Sequence, residues 1–485
     1  MPAPKRQNFS LDLIRFAVLA LVDGLSLRQV EKVLTRLGEW LGFDAPDHST
    51  VRLWGLRVGL HLWQRDPPVA DDWIWILDHV AESGGGKCLK IVGVRQSTLR
   101  GRDFVLRHTD VTVLYLEVMK TSTGDDLFRI LVALAARCGV PMQIVSDHGS
   151  DVLKGERLFL AEHPELLVTW DCTHHDARLI LAAMKGDAVW VAFKAACQRT
   201  RGAVERTPWN ALSPPSTAGS SRCEHFDTLV LWAEKALAKL DAGAAGLIDN
   251  EHRWDRTATQ ALRPELSPAD DERLQPLLDR SFADAATFTA AVTAALGPHE
   301  QTATIVGASH QGHRRCCERF GWLETYRVAI AQDYAPLVHM TYTMERQIKH
   351  AGLHGGSAAD WLATQPALPR EWIRARRFRA DLLRYLRLEG RGRPRAQALL
   401  ATSDVLESLF GKYKRYTERS PQTELNSAIL TLPLATEELT SELIERAIES
   451  TPLKHLHRWC RKTFDRTKLA VQHLLNGLLT GTEPA

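Results

Sequence analysis

The chain has 485 residues, of which 45% are hydrophobic and 25% are charged. These are proportions of an ordinary globular protein, so general disorder is excluded and two to four domains are expected. The formal net charge of +3 excludes a uniformly basic protein. No apolar run is long enough to span a membrane, and the first ten residues lack the apolar core of a secretory signal. We therefore expect a soluble cytoplasmic protein with no membrane partner.

Residues 1–68 carry apolar side chains at helical spacing and predict a helical domain. Two of its helical segments are separated by the break at residues 42–46. Two short helices joined by such a turn are typical of a helix-turn-helix, whose second helix enters the major groove of DNA. A plain three-helix bundle has the same pattern and remains the alternative. The helix-turn-helix hypothesis gives the second helix four candidate DNA contacts: Ser49, Thr50, Arg52 and Arg57.

From residue 72 the pattern changes to short apolar runs typical of strands. Five such runs lie at residues 73–77, 88–94, 111–118, 142–146 and 166–170. A helix is predicted over residues 125–137, and another between the last two strands. This order of three strands, a helix, a strand, a helix and a strand predicts an α/β layer over residues 69–175.

Residues 176–399 have helical composition and no convincing strand, which predicts an all-helical domain. Helices are predicted there at residues 226–240, 271–279, 285–296, 322–331 and 372–388. Helical patterning returns at residues 402–416, within a segment that we bound at 400–420. A C-terminal helical region is predicted over 421–485, with its helices between residues 437 and 479.

Two carboxylates follow predicted strands, and a third lies on a predicted helix. Asp78 and Asp147 come directly after the first and fourth strands, at the end of a sheet where ligand groups gather. Glu407 lies on an amphipathic helix, with Asp404 one turn earlier as its rival. Three such carboxylates can hold two divalent metal ions. Mg²⁺ prefers oxygen ligands and keeps positions open for water and phosphate, so the set favours in-line displacement at phosphorus.

These segments resemble the DDE transposases of bacterial insertion sequences. Trp75-Ile-Leu-Asp78 is similar to the family's first strand and first acid, and Ile144-Val-Ser-Asp147 to its fourth strand and second acid. Asp404-Val-Leu-Glu407 is similar to its final helix and glutamate. The resemblance implies an RNase H-like mixed sheet with flanking helices, an N-terminal helix-turn-helix and a large all-helical insertion. It also implies catalytic and metal-binding roles for Asp78, Asp147 and Glu407.

The long interval between Asp147 and Glu407 fits family members that carry a helical insertion before the last helix. Such members also have a Cys/Asp-x-x-His signature near their fifth strand. Both Asp171 with His174 and Cys172 with His175 match it, so the pair is left open. A tyrosine and an arginine precede the glutamate in such relatives, whereas Leu400 and Ser403 stand here.

Other chemistries are less well supported. Residues 171–175 could bind zinc, yet no second ligand cluster with the usual spacing accompanies them, and Cys316-Cys317 near His310 and His313 is the other candidate. The eight cysteines form no Cys-x-x-Cys pair, so reduced thiols are expected. A hydrolase triad is disfavoured because Ser146, Asp147 and His148 are adjacent in sequence, whereas triad residues converge from separate segments.

Residues 370–395 contain ten arginines against three acids, a local net charge of +7. Such a segment is typical of a phosphate-binding surface, although a charge run can also be a solvated face. Lys414 lies two helical turns after Glu407 and could hold a DNA phosphate. The candidate DNA contacts in this part of the chain are Arg374, Arg377, Lys412 and Lys414.

The resemblance implies a transposase that cleaves transposon ends and joins them to target DNA, using two Mg²⁺ ions with Mn²⁺ as a substitute. Its partners would be double-stranded DNA and further copies of itself, in a homodimer or larger assembly within the bacterial nucleoid. Two alternatives remain: a non-catalytic DNA-binding protein derived from a transposase, and an RNase H-like structure-selective nuclease that does not join ends.

Overall fold

A computed structural model describes residues 1–5, 7–81, 87–119, 121–218, 223–244, 267–278, 285–297, 316–418 and 426–464. The chain forms two compact units. The first comprises Met1–Thr173, Arg346–Ser357 and Glu389–Ala485, and the second comprises His174–Glu345 and Ala358–Leu388. The N-terminal helices, the sheet and the C-terminal helices thus belong to one unit, whereas the sequence divides them at residues 68, 175, 399 and 420.

Five strands form a single mixed sheet, as the apolar runs predict. They are β1 (Trp73–Ala81), β2 (Lys87–Arg95), β3 (Thr112–Met119), β4 (Gln143–Ser146) and β5 (Leu167–Trp170). Their order is β3-β2-β1-β4-β5. The pairs β1 with β2 and β2 with β3 are antiparallel, whereas β4 is parallel to both β1 and β5. The expected α/β class is confirmed.

Helices account for most of the remaining described chain. In chain order they are α1 (Leu11–Val22), α2 (Leu27–Leu41), α3 (His48–Gln64), α4 (Gln96–Gly101), α5 (Gly124–Cys138), α6 (Ser150–Glu162), α7 (Cys172–Met184), α8 (Ala188–Val204), α9 (Phe226–Ala244), α10 (Pro268–Leu278), α11 (Ala285–Leu296), α12 (Arg327–Ala329), α13 (Ala335–Ala351), α14 (Ser357–Thr364), α15 (Ile373–Glu389), α16 (Asp404–Glu418), α17 (Thr431–Leu434), α18 (Ser441–Ser450) and α19 (Leu453–Thr463). Among these described helices, none is both long and apolar enough to cross a bilayer.

The two faces of the sheet pack against different helices because side chains alternate along a strand. Trp73, Trp75 and Leu77 share a core with residues of α5 and α6. Ile74 and Ile76 instead share a core with residues of α16. The sheet is therefore buried on both sides, which explains why its strands are nearly continuous apolar runs.

Helix α3 is largely buried in the first unit. It packs against α1, α2, α17, α18 and α19. A Cβ atom on Gly59 would lie 1.9 Å from the carbonyl oxygen of Leu430, so this approach requires glycine. C-terminal helices thus cover part of α3, while Ser49 and Arg52 near its start are exposed, and the helix-turn-helix stays a prediction.

The secondary-structure elements described in the second unit are all helices. Its core includes an aromatic cluster in which Trp190 contacts Phe193, Phe226 and Tyr334. Helix α15 packs into this unit through Ala375, Phe378, Leu382, Leu383, Tyr385 and Leu386, which are buried. The predicted helices at 226–240, 271–279, 285–296 and 372–388 correspond to α9, α10, α11 and α15.

Candidate functional site

Asp147 and Asp171 directly follow the parallel strands β4 and β5, whereas Asp78 lies within β1, three residues before its end, so the predicted end of the first strand at residue 77 is wrong. Strand β1 pairs with β4 from Ile74–Gln143 to Ile76–Val145, and Asp78 and Asp147 each come two residues after the last of these pairs. Strand β4 pairs with β5 in the register Ser146 to Trp170, and the next position brings Asp147 opposite Asp171. The backbone amide of Asp171 donates to the Ser146 carbonyl at 2.9 Å, so the last step is a real strand contact.

Strand alternation directs Asp78 toward the face that α16 covers, whereas Asp147 and Asp171 come after the last residues of β4 and β5. On β1, Asp78 lies on the same face of the sheet as Ile74 and Ile76, which belong to the core that includes residues of α16. Val145 of β4 belongs to the same core, and Asp147 comes two residues after it. Asp171 is in phase with Thr169, whose hydroxyl accepts from the Gln143 side chain at 2.9 Å. The same Gln143 amide donates to the carbonyl of Leu400 at 2.6 Å, just before α16 begins.

Glu407 is brought to Asp171 by Ser403. The backbone amide of Ser403 donates to Asp171 Oδ2 at 2.7 Å, and its hydroxyl donates to Glu407 Oε1 at 3.1 Å. Asp171, His174 and Glu407 each offer a ligand atom within 4.8 Å of the others. His174 lies in the first turn of α7, one residue after Thr173. Among the described residues this is the one group of three close enough to share a metal ion.

The sequence allowed two signature pairs, and the structure distinguishes their positions. Asp171 and His174 lie beside Glu407. His175 instead stacks on Tyr385 with ring centroids 4.1 Å apart and contacts Asp176 at 3.2 Å. Cys172 is buried, and its amide donates to the carbonyl of Ala401 at 2.9 Å. Asp171 with His174 is therefore the pair at the candidate site.

Asp404, the alternative to Glu407 on the same helix, forms an ion pair with a different residue. Its carboxylate lies 2.8 Å from the ammonium of Lys349 in an ion pair. Because Asp404 and Glu407 are three residues apart on α16, both lie on its first turn. Of the two, Glu407 is the acid directed at the strand ends.

Asp78 is held by a lysine that the sequence analysis did not single out. Lys90 Nζ lies 2.9 Å from Asp78 Oδ2 and 3.9 Å from the ring centroid of Phe410. The lysine is 2% exposed. Asp78 and Lys90 are directly opposite each other on β1 and β2. The sequence signal that could have identified Lys90 is a charged residue within the apolar run Cys88-Leu-Lys-Ile-Val. Lys90 and Asp78 also lie at the same distance from Gly84, six positions on either side of it.

Asp147 begins a tight turn, and its charge acts on a second, buried carboxylate, that of Glu156. Its Oδ1 accepts from the amide of Gly149 at 3.0 Å, and His148 has a φ of 55° and stacks on Trp170. Glu156 on α6 is 2% exposed. Burial raises the pKa of Glu156 to about 8, and the charges of Asp147 and Glu389 act in the same direction. Burial likewise raises the pKa of Glu389, whose carboxylate accepts from the amide of Trp170.

The three predicted acids are not all within metal-sharing distance of one another in this structure. The ligand atoms of Asp171, His174 and Glu407 lie within 4.8 Å of one another. Asp78, on β1, and Asp147, directly after β4, are not members of this group. The donor set suits a divalent cation, since carboxylate oxygens predominate and imidazole adds one nitrogen. His310 and His313, which the sequence offered as zinc ligands with Cys316 and Cys317, lie outside the described residues.

The N-terminal DNA-contact candidates are dispersed. The Arg57 guanidinium is buried and donates to the carbonyls of Thr451 (2.7 Å) and Ile448. This corrects the expectation that Arg57 reaches DNA, because its donors hold the C-terminal helices instead. Arg52 is exposed and donates to the Ser427 hydroxyl at 2.8 Å. Ser49 is exposed and Thr50 is half-buried, both in the first turn of α3.

The four basic DNA-contact candidates on α15 and α16 differ in their exposure and contacts. Arg374 lies 2.6 Å from the Asp187 carboxylate and over the Tyr334 ring, so it stabilises the second unit instead of presenting a free charge. Arg377 is exposed on α15. On α16, Lys412 is half-buried and Lys414 is exposed. Phe378 and Tyr385, which lie among the arginines in sequence, are buried in the core and cannot stack on bases.

The comparison with solved structures gives a likeness of low score. No family model and no curated protein matches the sequence. Among solved structures, the chain is similar to a chain of the Drosophila P element transposase strand transfer complex, at 12% identity and a TM-score of 0.33, with 92% of this chain and 94% of that chain covered. At this TM-score the likeness by itself assigns no function.

Proposed function

We propose that this chain is a DDE-type DNA transposase, which cleaves phosphodiester bonds at transposon ends and joins those ends to target DNA. The observation that carries the proposal is the group of Asp171, His174 and Glu407, with Asp78 on β1 and Asp147 directly after the neighbouring strand β4. The strand order, three antiparallel strands followed by two parallel ones, supports an RNase H-like core.

The residues fit a site for Mg²⁺ or Mn²⁺. Asp171 and Glu407 would hold one ion with His174, and Asp78 and Asp147 would contribute further oxygens. When bound, two such ions activate the attacking oxygen and stabilise the leaving oxygen of a displacement at phosphorus. Ser403 holds Asp171 and Glu407 together through two hydrogen bonds, so it would act as a positioning residue and not as a metal ligand.

DNA would be held by arginines near this site in sequence. Helix α15 exposes Arg376, Arg377, Arg384 and Arg387 opposite its buried apolar side. Such a row of cations favours phosphate contacts. The proposed reaction begins with attack of water on a phosphodiester to release a 3′-hydroxyl. That hydroxyl then attacks target DNA. The assignments to a bacterial insertion sequence, to a homodimer or larger assembly that joins two ends, and to the nucleoid belong to this proposal.

The test uses the full chain with DNA that carries the sequences flanking its reading frame. With Mg²⁺ or Mn²⁺ we expect cleavage and joining, and with EDTA neither. Asp78→Asn should lower both by about 100-fold or more while DNA binding by fluorescence anisotropy is kept, because the carboxylate is lost and the fold is retained. Cleavage without joining would favour a nuclease. Cleavage by Asp78→Asn at the wild-type rate would contradict the assignment.

A further inference from the structure

Lys90 is a buried cation inside an acidic site. Its side chain is 2% exposed, and its ammonium contacts one oxygen of Asp78 at 2.9 Å and the Phe410 ring at 3.9 Å. Strand β2 lies between β1 and β3, so the residue is not at a sheet edge. Ionised lysine is rarely buried unless it is paired, and here both contacts favour the charged form.

The pairing is fixed by the fold instead of being a chance surface contact. Asp78 and Lys90 are directly opposite in the antiparallel ladder, so their side chains leave the sheet on the same face. Phe410 comes from α16, the helix that also carries Glu407. The ammonium therefore contacts both Asp78 on β1 and Phe410 on α16, the helix that carries Glu407.

We propose that Lys90 is a built-in counter-ion, which shares Asp78 with a bound divalent cation and thereby weakens the binding of that cation. The inference rests on the proposed function, since it assumes that Asp78 faces a metal ion. One oxygen of Asp78 is committed to the ammonium, and a nearby positive charge raises the electrostatic cost of adding a second cation. In the absence of metal, the same charge offsets the repulsion among the clustered carboxylates.

Removing the charge of Lys90 should consequently strengthen metal binding. Lys90→Met and Lys90→Gln, in the full-length chain without DNA, should each bind Mn²⁺ with a dissociation constant about tenfold lower than wild type, measured from the free Mn²⁺ signal in electron paramagnetic resonance. In EDTA, both variants should unfold at a lower temperature than wild type, because Asp78 loses its partner. Added Mn²⁺ should then raise their unfolding temperature by more than it raises that of wild type.

A matched control removes a lysine from an exposed ion pair in the same unit. Lys154 lies 2.5 Å from Asp125, with both side chains more than half exposed. Lys154→Met should leave the Mn²⁺ dissociation constant within about twofold of wild type, because solvent and salt screen an exposed charge.

The outcomes separate this inference from the proposed function. Mn²⁺ binding by wild type with equal or weaker binding by both Lys90 variants would overturn the counter-ion role and leave the metal site standing. Absence of Mn²⁺ binding in wild type and variants would overturn both. If Lys90→Gln does not fold even with Mn²⁺, the inference is also contradicted, because the metal should then replace the lost charge.

Discussion

Asp171 is the residue at which the strand ends and the acidic helix are joined. One carboxylate oxygen accepts from the amide of Thr173 at 2.7 Å, and the other accepts from the amide of Ser403 at 2.7 Å. The first bond satisfies a donor in the opening turn of α7, and the second anchors the segment that leads into α16. The signature predicted from sequence thus has a structural role that is independent of any metal ion.

Glu156 provides a test of how acidic this part of the protein is. Burial, together with the charges of Asp147 and Glu389, raises its pKa to about 8 from an ordinary value of 4.5. Because the folded form keeps the proton that the unfolded form loses, stability should fall as the pH rises from about 4.5 to about 8, by at most about 1.4 kcal/mol per pH unit. Above that range the contribution is constant.

Glu156→Gln removes this titration while keeping the size of the side chain. We expect the variant to gain stability relative to wild type as the pH is raised from 5 to 8, in urea unfolding monitored by circular dichroism. The exposed Glu162→Gln on the same helix is the matched control and should show no such trend. A constant difference between Glu156→Gln and wild type across this range would show that Glu156 ionises normally in the folded protein.

At the scale of elements, α15 separates its arginines into two kinds. Arg377 and Arg384 are exposed and seven residues apart, so they lie on one face of the helix. Arg374 is committed to Asp187, and the ion pair raises its pKa against the opposing effect of burial. The charge run in the sequence does not distinguish these kinds, since the distinction depends on Asp187, which caps α8, lying beside Arg374.

The double variant Arg377→Ala/Arg384→Ala should weaken binding to duplex DNA. If each arginine contacts one phosphate, the slope of log K against log salt should become shallower by about 2. Thermal stability should be unchanged, because both side chains are solvent-exposed. Arg374→Ala is the contrasting variant, which should lower stability by breaking its pair with Asp187. An unchanged salt slope in the double variant would exclude this helix face from DNA binding.

Helix α3 shows where sequence patterns stop being informative. Its apolar spacing predicted a helix, and the helix is present, with Asp47 capping its first turn through the amide of Thr50. The same spacing fits a surface recognition helix and a buried one. The contacts that bury much of α3 come from α17, α18 and α19, almost 400 residues later in the chain. The local sequence pattern could therefore not predict which residues of α3 are exposed.

For the whole molecule, the strands were predictable and their register was not. Apolar runs bounded by turn residues predicted all five strands to within a few residues. The placement of Asp147 and Asp171 directly after paired residues follows from the parallel register of β4 and β5, which leaves no local mark in the sequence. Glu407 was predictable as an acid on an amphipathic helix, whereas its link to Asp171 through Ser403 depends on the return of the chain after the helical unit.

The central claim is that Glu407 acts with the strand-end aspartates in metal-dependent cleavage of DNA, and Asp404 on the same turn provides its control. The most direct measurement compares Mn²⁺-dependent cleavage of the flanking-sequence DNA by wild type, Glu407→Gln and Asp404→Asn. We predict a loss of about 100-fold or more for Glu407→Gln and a rate within a few-fold of wild type for Asp404→Asn. Wild-type cleavage by Glu407→Gln, or an equal loss in both variants, would contradict the account.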